Sequence, residues 1–278
     1  MCRWLAYSGS PIRLEEFLVK PARSLVDQSL HSRMGATTTN GDGFGVGWYT
    51  GDGDERPRTF HSIHPAWNDR NLRELSAHVD SGLVFAHIRA STGSPVQQTN
   101  CHPFRHGSWL WMHNGFIGGF DQVKRDLVLE VDPTLFAGIE GTTDTEVFFN
   151  LALTYGLEDD PPAAVARAVG FIEETGRRHG VAKPIQMTVA TTDGESVWVF
   201  RYSSEGVSRS LFFSTDVRTL RAQHPEVALL GQVSDESRLV VSEPLGSLEG
   251  AWNAVPESSY GVIRAGEDLL APFEPRGG

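Results

Sequence analysis

Short apolar segments separated by turn residues are the feature that most limits the folds open to this chain. The segments LVFAHIRA at 83–90 and SWLWMH at 108–113 are rich in apolar and aromatic residues, so they predict strands. Residues 185–192 and 196–202 are predicted to form a hairpin, because Asp193-Gly194 between them is a turn signal. Further strands are predicted at 3–8, 44–50, 209–214, 238–242 and 260–265.

Helical patterns alternate with these strands. Two short helices are predicted within Leu14–His31, and longer ones at Asn68–Val79 and Pro161–His179. Thr143-Asp144-Thr145-Glu146 matches a capping box and predicts the start of another helix.

Interspersed helices and short-turned strands favour the α+β class, with sheets packed under helices. We found no repeat, linker or low-complexity tract, so one domain is expected over residues 2–270. The remaining residues, 271–278, are rich in Pro and Gly and are expected to fray.

The charge and cysteine content exclude several classes of function. With 24 Lys and Arg against 35 Asp and Glu, the formal net charge is −11, which argues against nucleic-acid and anionic-membrane partners. The only two cysteines, Cys2 and Cys101, cannot form a disulfide framework. No signal peptide and no membrane-length apolar run is present, so a cytoplasmic location is expected.

Cys2 is a candidate nucleophile because of its position. If Met1 is removed, one residue carries both a thiol and a free α-amine, and the amine can act as the base that activates the thiol. The alternative is an incidental cysteine in a first strand.

Asn114-Gly115 admits two interpretations. An Asn-Gly pair between apolar segments is a strong hairpin-turn signal. The same pair could form an oxyanion hole, in which the Asn amide and the Gly N–H point at a developing negative charge.

Arg89 and Asp144 are charged residues at the ends of predicted elements. Arg89 follows an apolar strand, where it could form an ion pair at the sheet end or clamp a substrate carboxylate. Asp144 lies in the first turn of a predicted helix, where it could serve the helix dipole or hold a substrate ammonium group.

Nucleotide, metal and cofactor sites are not expected. The glycine-rich segment 41–47 has neither the G-x-G-x-x-G spacing nor a P-loop Lys. The histidines do not form an H-E-x-x-H pattern, and no C-x-x-C occurs.

Together these motifs follow an order that resembles the class II glutamine amidotransferases, whose glutaminase domain is an N-terminal-nucleophile hydrolase. The resemblance covers most of the chain, and its segments are Met1-Cys2-Arg3, residues 40–48, 86–92 and 100–104, His113-Asn114-Gly115, Thr143–Glu146, Ser242–Leu245 and Trp252–Pro256. The chain is most similar to the free-standing members, which include a γ-glutamyl hydrolase of ergothioneine synthesis and a glutathione-degrading subunit.

The resemblance implies a four-layer αββα sandwich and assigns a role to each motif. It makes Cys2 the catalytic nucleophile, which would form a thioester, and Asn114 with Gly115 the oxyanion hole. The implied substrate-binding residues are Arg89 for the glutamyl α-carboxylate, Asp144 for the α-ammonium and Thr92 in the same pocket.

Two departures concern the pocket mouth. Larger members often have an aromatic residue and a histidine where this chain has Ala90 and Gly93. The shape of the mouth therefore does not carry over from those members.

Three functions remain open. The chain could hydrolyse the γ-amide of glutamine or of a related γ-glutamyl compound, it could be a glutaminase subunit that delivers ammonia to a separate synthase, or it could be an inactive γ-glutamyl-binding module. Because no acceptor domain follows Leu245 in this sequence, we expect a γ-glutamyl compound larger than glutamine to be the better substrate.

Overall fold

Thirteen strands and eight α-helices form within the residues that a computed structural model describes, which are 2–34, 38–51, 56–91, 93–264 and 267–277. The strands are β1 Arg3–Arg13, β2 Phe44–Trp48, β3 Arg58–Ser62, β4 Asp80–Ile88, β5 Phe104–His106, β6 Trp109–Ile117, β7 Ile185–Thr192, β8 Val197–Ser203, β9 Phe212–Ser214, β10 Arg238–Val241, β11 Trp252–Ala254, β12 Ser259–Arg264 and β13 Glu267–Pro272. The helices are α1 Glu15–Leu18, α2 Leu25–His31, α3 Arg70–His78, α4 Phe120–Glu130, α5 Pro133–Phe136, α6 Asp144–Thr154, α7 Pro161–Arg178 and α8 Val217–Gln223. None of the helices in the described residues is long and apolar enough to span a bilayer.

The strands form two antiparallel sheets. The first has seven strands in the order β11-β9-β10-β1-β4-β2-β3, and the second has six in the order β13-β12-β8-β7-β6-β5. Strand β1 therefore lies inside the first sheet, with β4 on one side and β10 on the other. In the second sheet, β6 and β7 pair along their whole length, from Leu110 opposite Thr192 to Ile117 opposite Ile185.

The alternation of side chains along β1 divides the core into layers. Trp4 and Ala6 point into an apolar cluster between the two sheets, whereas Leu5 and Tyr7 point to the outer face of the first sheet. Because successive residues of a strand face opposite sides, this parity also places Cys2 on the inner face.

Helices cover the outer face of each sheet. Helices α1, α2 and α3 contribute buried apolar side chains to the cluster outside the first sheet, and α4, α6 and α7 do so outside the second. The arrangement is the four-layer αββα sandwich that the sequence resemblance implied, and this prediction is confirmed.

The predicted strands and helices form with small shifts of their ends. Strand β1 runs on to Arg13, because it pairs with β4 as far as Arg13 opposite Asp80. Strand β9 covers only Phe212–Ser214, so residues 209–211 of the predicted strand lie outside it.

Asn114 and Gly115 do not form a turn. They lie inside β6, where Asn114 is opposite Thr188 and Gly115 is opposite Met187. A Cβ at Gly115 would lie 1.9 Å from the Gln186 carbonyl oxygen, so glycine permits a close approach of backbones. The hairpin interpretation is therefore wrong, because pairing with β7 extends the strand beyond the local turn signal.

The expectation that 271–278 would fray is wrong for the described residues 271–277. Phe273 is buried against Phe200, with ring centroids 5.6 Å apart. The Arg276 N–H donates to the Ala166 carbonyl of α7 at 2.9 Å. One buried aromatic residue therefore attaches this segment to the second sheet and its helix layer.

The packing predicts which aromatic residues of the helix layer stabilise the fold. Phe148 in α6 is fully buried and lies edge-on to Trp111, with ring centroids 5.1 Å apart. We expect Phe148→Ala to lower the free energy of unfolding by about 3–5 kcal/mol, because it leaves a cavity in the core. Phe136 is 56% exposed, so Phe136→Ala should change it by no more than about 0.5 kcal/mol. Chemical denaturation measures both, and equal effects would contradict the assignment of this core.

Candidate active site

Cys2 lies directly before β1, on the face of the sheet that points to the second sheet. Its Sγ accepts a hydrogen bond from the Ala90 N–H at 3.5 Å and lies 3.7 Å from the Ala90 carbonyl oxygen. Burial raises the pKa of the Cys2 thiol, and the Ala90 N–H lowers it by a smaller amount. The thiol is therefore positioned beside the residue after Arg89, and it needs a base to become a thiolate.

Arg3 fixes the main chain at Cys2. Its Nη1 donates to the Cys2 carbonyl oxygen at 2.9 Å, and its Nε donates to Glu243 Oε2 at 2.9 Å. The Arg3 and Glu243 side chains are 2% and 0% exposed. The buried charges of Arg3 and Glu243 thus neutralise each other next to the main chain of the candidate nucleophile.

The Glu243 carboxylate receives further donors. The N–H groups of Arg33 and Met34 each donate to it at 3.1 Å, and the Ser32 hydroxyl donates at 3.2 Å. Burial alone would raise the pKa of Glu243, but these N–H groups and the Arg3 charge outweigh it and lower the pKa below the ordinary value. Glu243 therefore stays ionised and connects the 32–34 segment to the beginning of β1.

Arg89 follows β4 and is 3% exposed. In the described part of the chain, its guanidinium donates to neutral oxygens only. Nη1 donates to the Asp42 carbonyl at 3.4 Å, and Nη2 donates to Ser94 Oγ at 2.6 Å and Ser91 Oγ at 3.3 Å. Among the described residues, no carboxylate forms an ion pair with it. A buried cation without a counter-ion is costly, and an anionic ligand would remove that cost.

Asn114 faces the space between the sheets, on the same side of β6 as Leu110 and Met112. It is 4% exposed, and within the described part of the chain its side-chain amide makes no hydrogen bond. Its carbonyl accepts from Thr188 Oγ1 at 3.3 Å, and Thr188 Oγ1 in turn accepts from the Trp4 indole N–H at 3.2 Å. This bridge joins β1 to β6 across the two sheets and leaves the amide free for a ligand.

Asp144 is the first residue of α6. Its Oδ2 accepts from the Ile117 N–H at 2.8 Å, and its Oδ1 accepts from the Thr145 N–H at 2.8 Å. The neighbouring Thr145 hydroxyl hydrogen-bonds His113 Nδ1 at 2.9 Å. Burial lowers the pKa of His113, although the Asp144 charge acts in the opposite direction. A neutral histidine therefore connects the strand of Asn114 to the helix that presents Asp144.

The predicted capping box forms only in part. The Thr143 hydroxyl accepts from the Glu146 N–H at 3.3 Å, as expected. The Glu146 carboxylate accepts instead from the N–H groups of Glu140 and Gly141, at 2.8 and 2.7 Å. It therefore orders the loop that enters α6 rather than the cap residue itself.

Buried histidines between the sheets form a pair. His102 Nδ1 and His87 Nε2 are 2.9 Å apart, and both rings are buried. Burial lowers the pKa of His87 to about 3 and the pKa of His102 well below its usual value, so both are neutral. Within the described residues, no three His, Cys, Asp or Glu side chains come together as a metal site.

The structure brings most of the predicted site residues to one end of the cleft between the sheets. Besides the effect of burial, the charges of Arg89 and Asp144 both act on the pKa of the Cys2 thiol, the first lowering it and the second raising it. Asn114 and Gly115 lie on β6, whose strand also contacts Asp144 through Ile117. Thr92 lies outside the described residues.

Sequence reasoning missed the residues that support this site, namely Arg3, Glu243, His113, Thr188 and Trp4. A signal existed for three of them, because Arg3, His113 and Glu243 lie in segments that carry the family resemblance. The contact between Arg3 and Glu243 joins the two ends of the sequence.

Comparisons with known proteins identify the family and agree with the fold. The family model for class-II glutamine amidotransferases matches residues 17–276. The chain therefore belongs to the class II glutamine amidotransferases, and the enzyme class predicted from the sequence is confirmed.

Named relatives and solved structures lie in the same family. A probable glutamine amidotransferase of Saccharomyces cerevisiae, DUG3, is 36% identical over 98% of this chain and 84% of its own length. The γ-glutamyl-hercynylcysteine sulfoxide hydrolase of Mycolicibacterium smegmatis is 29% identical over 72% of this chain and 82% of its own length. A class-II domain protein from Silicibacter pomeroyi has a structure with a TM-score of 0.74 at 31% identity, covering 99% of this chain and 100% of that one.

A more distant structure shares the fold alone. The glutamine phosphoribosylpyrophosphate amidotransferase of B. subtilis matches with a TM-score of 0.63 at 14% identity. It covers 99% of this chain, which corresponds to 50% of the larger protein.

The buried ion pair beneath Cys2 predicts a measurable stability effect. Glu243→Gln leaves Arg3 buried without its counter-ion, so we expect the free energy of unfolding near neutral pH to fall by about 3–5 kcal/mol. Asp80→Asn is the matched control, because it breaks the exposed pair with Arg13, whose side chains are 40% and 51% exposed. That change should cost no more than about 1 kcal/mol.

The same carboxylate predicts a dependence on pH. Its pKa is lowered in the folded protein, so its stabilising effect is complete above the unfolded-state pKa of about 4.3 and is lost as the pH falls through the lower folded-state pKa. Wild-type stability should therefore decline more steeply with acidification than that of Glu243→Gln. Parallel curves for the two proteins in denaturation experiments would contradict the role of Glu243.

Proposed function

We propose that this protein hydrolyses the γ-amide bond of glutamine or of a γ-glutamyl compound, with Cys2 as the nucleophile. The observation that supports this most directly is the buried Arg89 guanidinium without an ion-pair partner among the described residues, next to the residue whose N–H contacts the Cys2 thiol. Such a cation fits a substrate carboxylate, and a substrate bound there would extend toward the Cys2 thiol.

In this proposal, the glutamyl head group is held at both of its charges. Arg89 pairs with the α-carboxylate, and Asp144 accepts from the α-ammonium group. Thr92, which follows Ser91, would line the same pocket. The γ-carbonyl then lies over Cys2 at the other end of the glutamyl side chain.

The covalent step forms a thioester. The Cys2 sulfur attacks the γ-carbon, and the carbonyl oxygen becomes an oxyanion that accepts from the Asn114 amide and the Gly115 N–H. The C–N bond then breaks, and the leaving nitrogen takes the proton that came from the thiol. Water attacks the thioester, which releases glutamate and returns the proton to the sulfur.

The α-amine of Cys2 is the proposed base for the thiol. It exists only after Met1 is removed, and Met1 lies outside the described residues. Because burial raises the pKa of the Cys2 thiol, an adjacent base is needed near neutral pH. Protein that turns over substrate should therefore lack the mass of one methionine.

Two relatives support the choice of γ-glutamyl substrates. One is named a γ-glutamyl-hercynylcysteine sulfoxide hydrolase and the other a probable glutamine amidotransferase. The competing function, a glutaminase subunit for a separate synthase, is separable by experiment. Glutamine as the best substrate, with stimulation by a co-purifying synthase, would favour the subunit function over the hydrolase.

Cys2→Ala should abolish turnover, because no other group in the proposal can form the thioester. Cys101→Ala is the matched control: the Cys101 thiol is buried, burial raises its pKa to about 11, and its Sγ contacts the Ser62 carbonyl at 3.5 Å. That variant should retain most of the activity.

A thiol-reactive glutamine analogue should label Cys2, and mass spectrometry of the treated protein measures this. An unlabelled wild-type protein would indicate an inactive binding module.

Arg89→Gln should weaken the preference for substrates with a free α-carboxylate. Losing one charge-assisted contact typically costs a factor of about 10–200. The measurement is kcat/KM for glutamine and for its α-amide, in wild type and variant, so that any general loss of activity cancels in the ratio. An unchanged ratio would place the carboxylate clamp elsewhere.

A further inference from the structure

Arg209 is a second cation near the candidate nucleophile, and it has no anionic partner in the part of the chain that the structure describes. It is half-buried, and its Nε is shielded from solvent without a hydrogen-bond acceptor. Within the described residues, its guanidinium forms no hydrogen bond and no ion pair. Burial lowers the pKa of Arg209, the charge of Arg3 lowers it further, and Cys2 acts in the opposite direction. The group remains a cation, since arginine does not deprotonate in proteins.

The register of the first sheet brings Arg209 and Cys2 to the same end of that sheet. Leu5 is opposite Val241, and Val241 is opposite Phe212. Both pairings end there, and Cys2 and Arg209 each lie three residues beyond these last pairs, at the same end of the sheet.

Hydrogen bonds beyond the strand ends keep the segments around Trp4, Ser242 and Ser210 next to one another. The Ser242 N–H donates to the Trp4 carbonyl at 3.1 Å, and Ser210 Oγ donates to the Ser242 carbonyl at 2.8 Å. Where the ladders end, two strand spacings of the order β9-β10-β1 separate β9 from β1, which is about 10 Å and within reach of a long side chain.

Both side chains belong to the inner face of the sheet. Leu211 and Phe213 pack in the cluster between the sheets, as Trp4 and Ala6 do. The same alternation assigns Arg209 to the face of Leu211, as it assigns Cys2 to the face of Trp4. Arg209 therefore borders the cleft that contains the thiol.

Arg209 and Arg89 lie on opposite sides of Cys2. Arg89 follows β4, which pairs with one edge of β1, whereas Arg209 precedes β9, which lies beyond β10 at the other edge. A substrate whose α-carboxylate lies on Arg89 and whose γ-carbon lies on Cys2 therefore extends its leaving group toward Arg209.

The neighbours of Arg209 are fixed by other groups. The Ser208 N–H and hydroxyl donate to Glu257 Oε2 at 3.0 and 2.6 Å, and Arg201 Nε donates to Ser208 Oγ at 2.8 Å. Arg201 and Glu257 also form an ion pair of 3.6 Å. Glu257 thus binds Ser208 and Arg201 through Oε2, and among the described residues it forms no ion pair with Arg209.

We propose that Arg209 binds a carboxylate of the leaving group, so that the favoured substrates are γ-glutamyl amides of amino acids or peptides. This inference rests on the proposed function and adds the chemical class of the leaving amine. Glutamine releases ammonia and cannot use this contact, whereas an amine that carries a carboxylate pairs with Arg209 while the γ-amide lies on Cys2. The bond changes are those of the hydrolysis above, and Arg209 contributes binding only.

The test compares γ-glutamylglycine with γ-glutamylglycinamide, which differ only in the leaving-group carboxylate. Wild-type protein should have the higher kcat/KM for the acid, and Arg209→Gln should reduce that preference by about 10-fold or more. Arg209→Lys should retain part of the preference, because it keeps the charge. Arg218→Gln is the matched control for net charge, since Arg218 is exposed on α8 and pairs with Asp235 at 3.6 Å; it should retain the full preference.

Binding supplies a readout that does not depend on turnover. In a Cys2→Ala background, calorimetry should show tighter binding of γ-glutamylglycine than of its amide, and Arg209→Gln should remove the difference. If Arg209→Gln lowers kcat/KM equally for both compounds, or changes the α-carboxylate preference instead, the inference is overturned.

Two wild-type results separate the inference from the proposed function. Hydrolysis of both compounds without preference overturns the role of Arg209 and leaves the proposed function intact. Failure to hydrolyse glutamine and every γ-glutamyl amide removes the proposed function, and the inference with it.

Discussion

The buried ion pair between Arg3 and Glu243 is the contact on which the site depends. The proposed nucleophile, Cys2, lies directly before β1 and outside its strand pairing, where a chain tends to fray. Here the Arg3 guanidinium donates to the Cys2 carbonyl and forms an ion pair with Glu243. The Glu243 carboxylate also accepts hydrogen bonds from the N–H groups of Arg33 and Met34. Ordering Cys2 thus requires contacts from the opposite end of the sequence, so the site forms only when the first sheet is complete.

The two sheets then divide the proposed chemistry between them. The first sheet supplies Cys2 and the two arginines on either side of it, and the second supplies Asn114 and, through α6, Asp144. The Trp4–Thr188–Asn114 bridge connects the two halves by hydrogen bonds of 3.2 and 3.3 Å. A protein with a net charge of −11 therefore presents two arginines without ion-pair partners among the described residues to the same cleft. Local charge, rather than total charge, determines which ligand this cleft favours.

Much of the fold and part of the site could be predicted from the sequence, and the failures have a physical pattern. Segments such as 185–192 carry their own strand signal, and they form strands as expected. Asn114-Gly115 carries a turn signal that pairing with β7 overrides, because eight residue pairs along the strand outweigh one local preference. The segment 271–277 looks polar and flexible, yet the single apolar Phe273 anchors it. Family resemblance identified Cys2, Arg89, Asn114 and Asp144 as candidates, but their supporting contacts are non-local. Neither the Arg3–Glu243 pair nor the position of Arg209 relative to Cys2 can be predicted without the strand order.

The charges around Cys2 also limit how its thiol can be activated. Burial raises its pKa, Arg89 lowers it, and Asp144 raises it. A bound glutamyl group would place a carboxylate on Arg89 and an ammonium on Asp144, and so would neutralise one influence of each sign. The two changes act on the pKa of the thiol in opposite directions. A bound substrate also excludes water from the Cys2 thiol, so burial continues to raise the pKa of this thiol. In the proposed mechanism, the base that stays next to the sulfur is the α-amine of Cys2, which needs no further side chain.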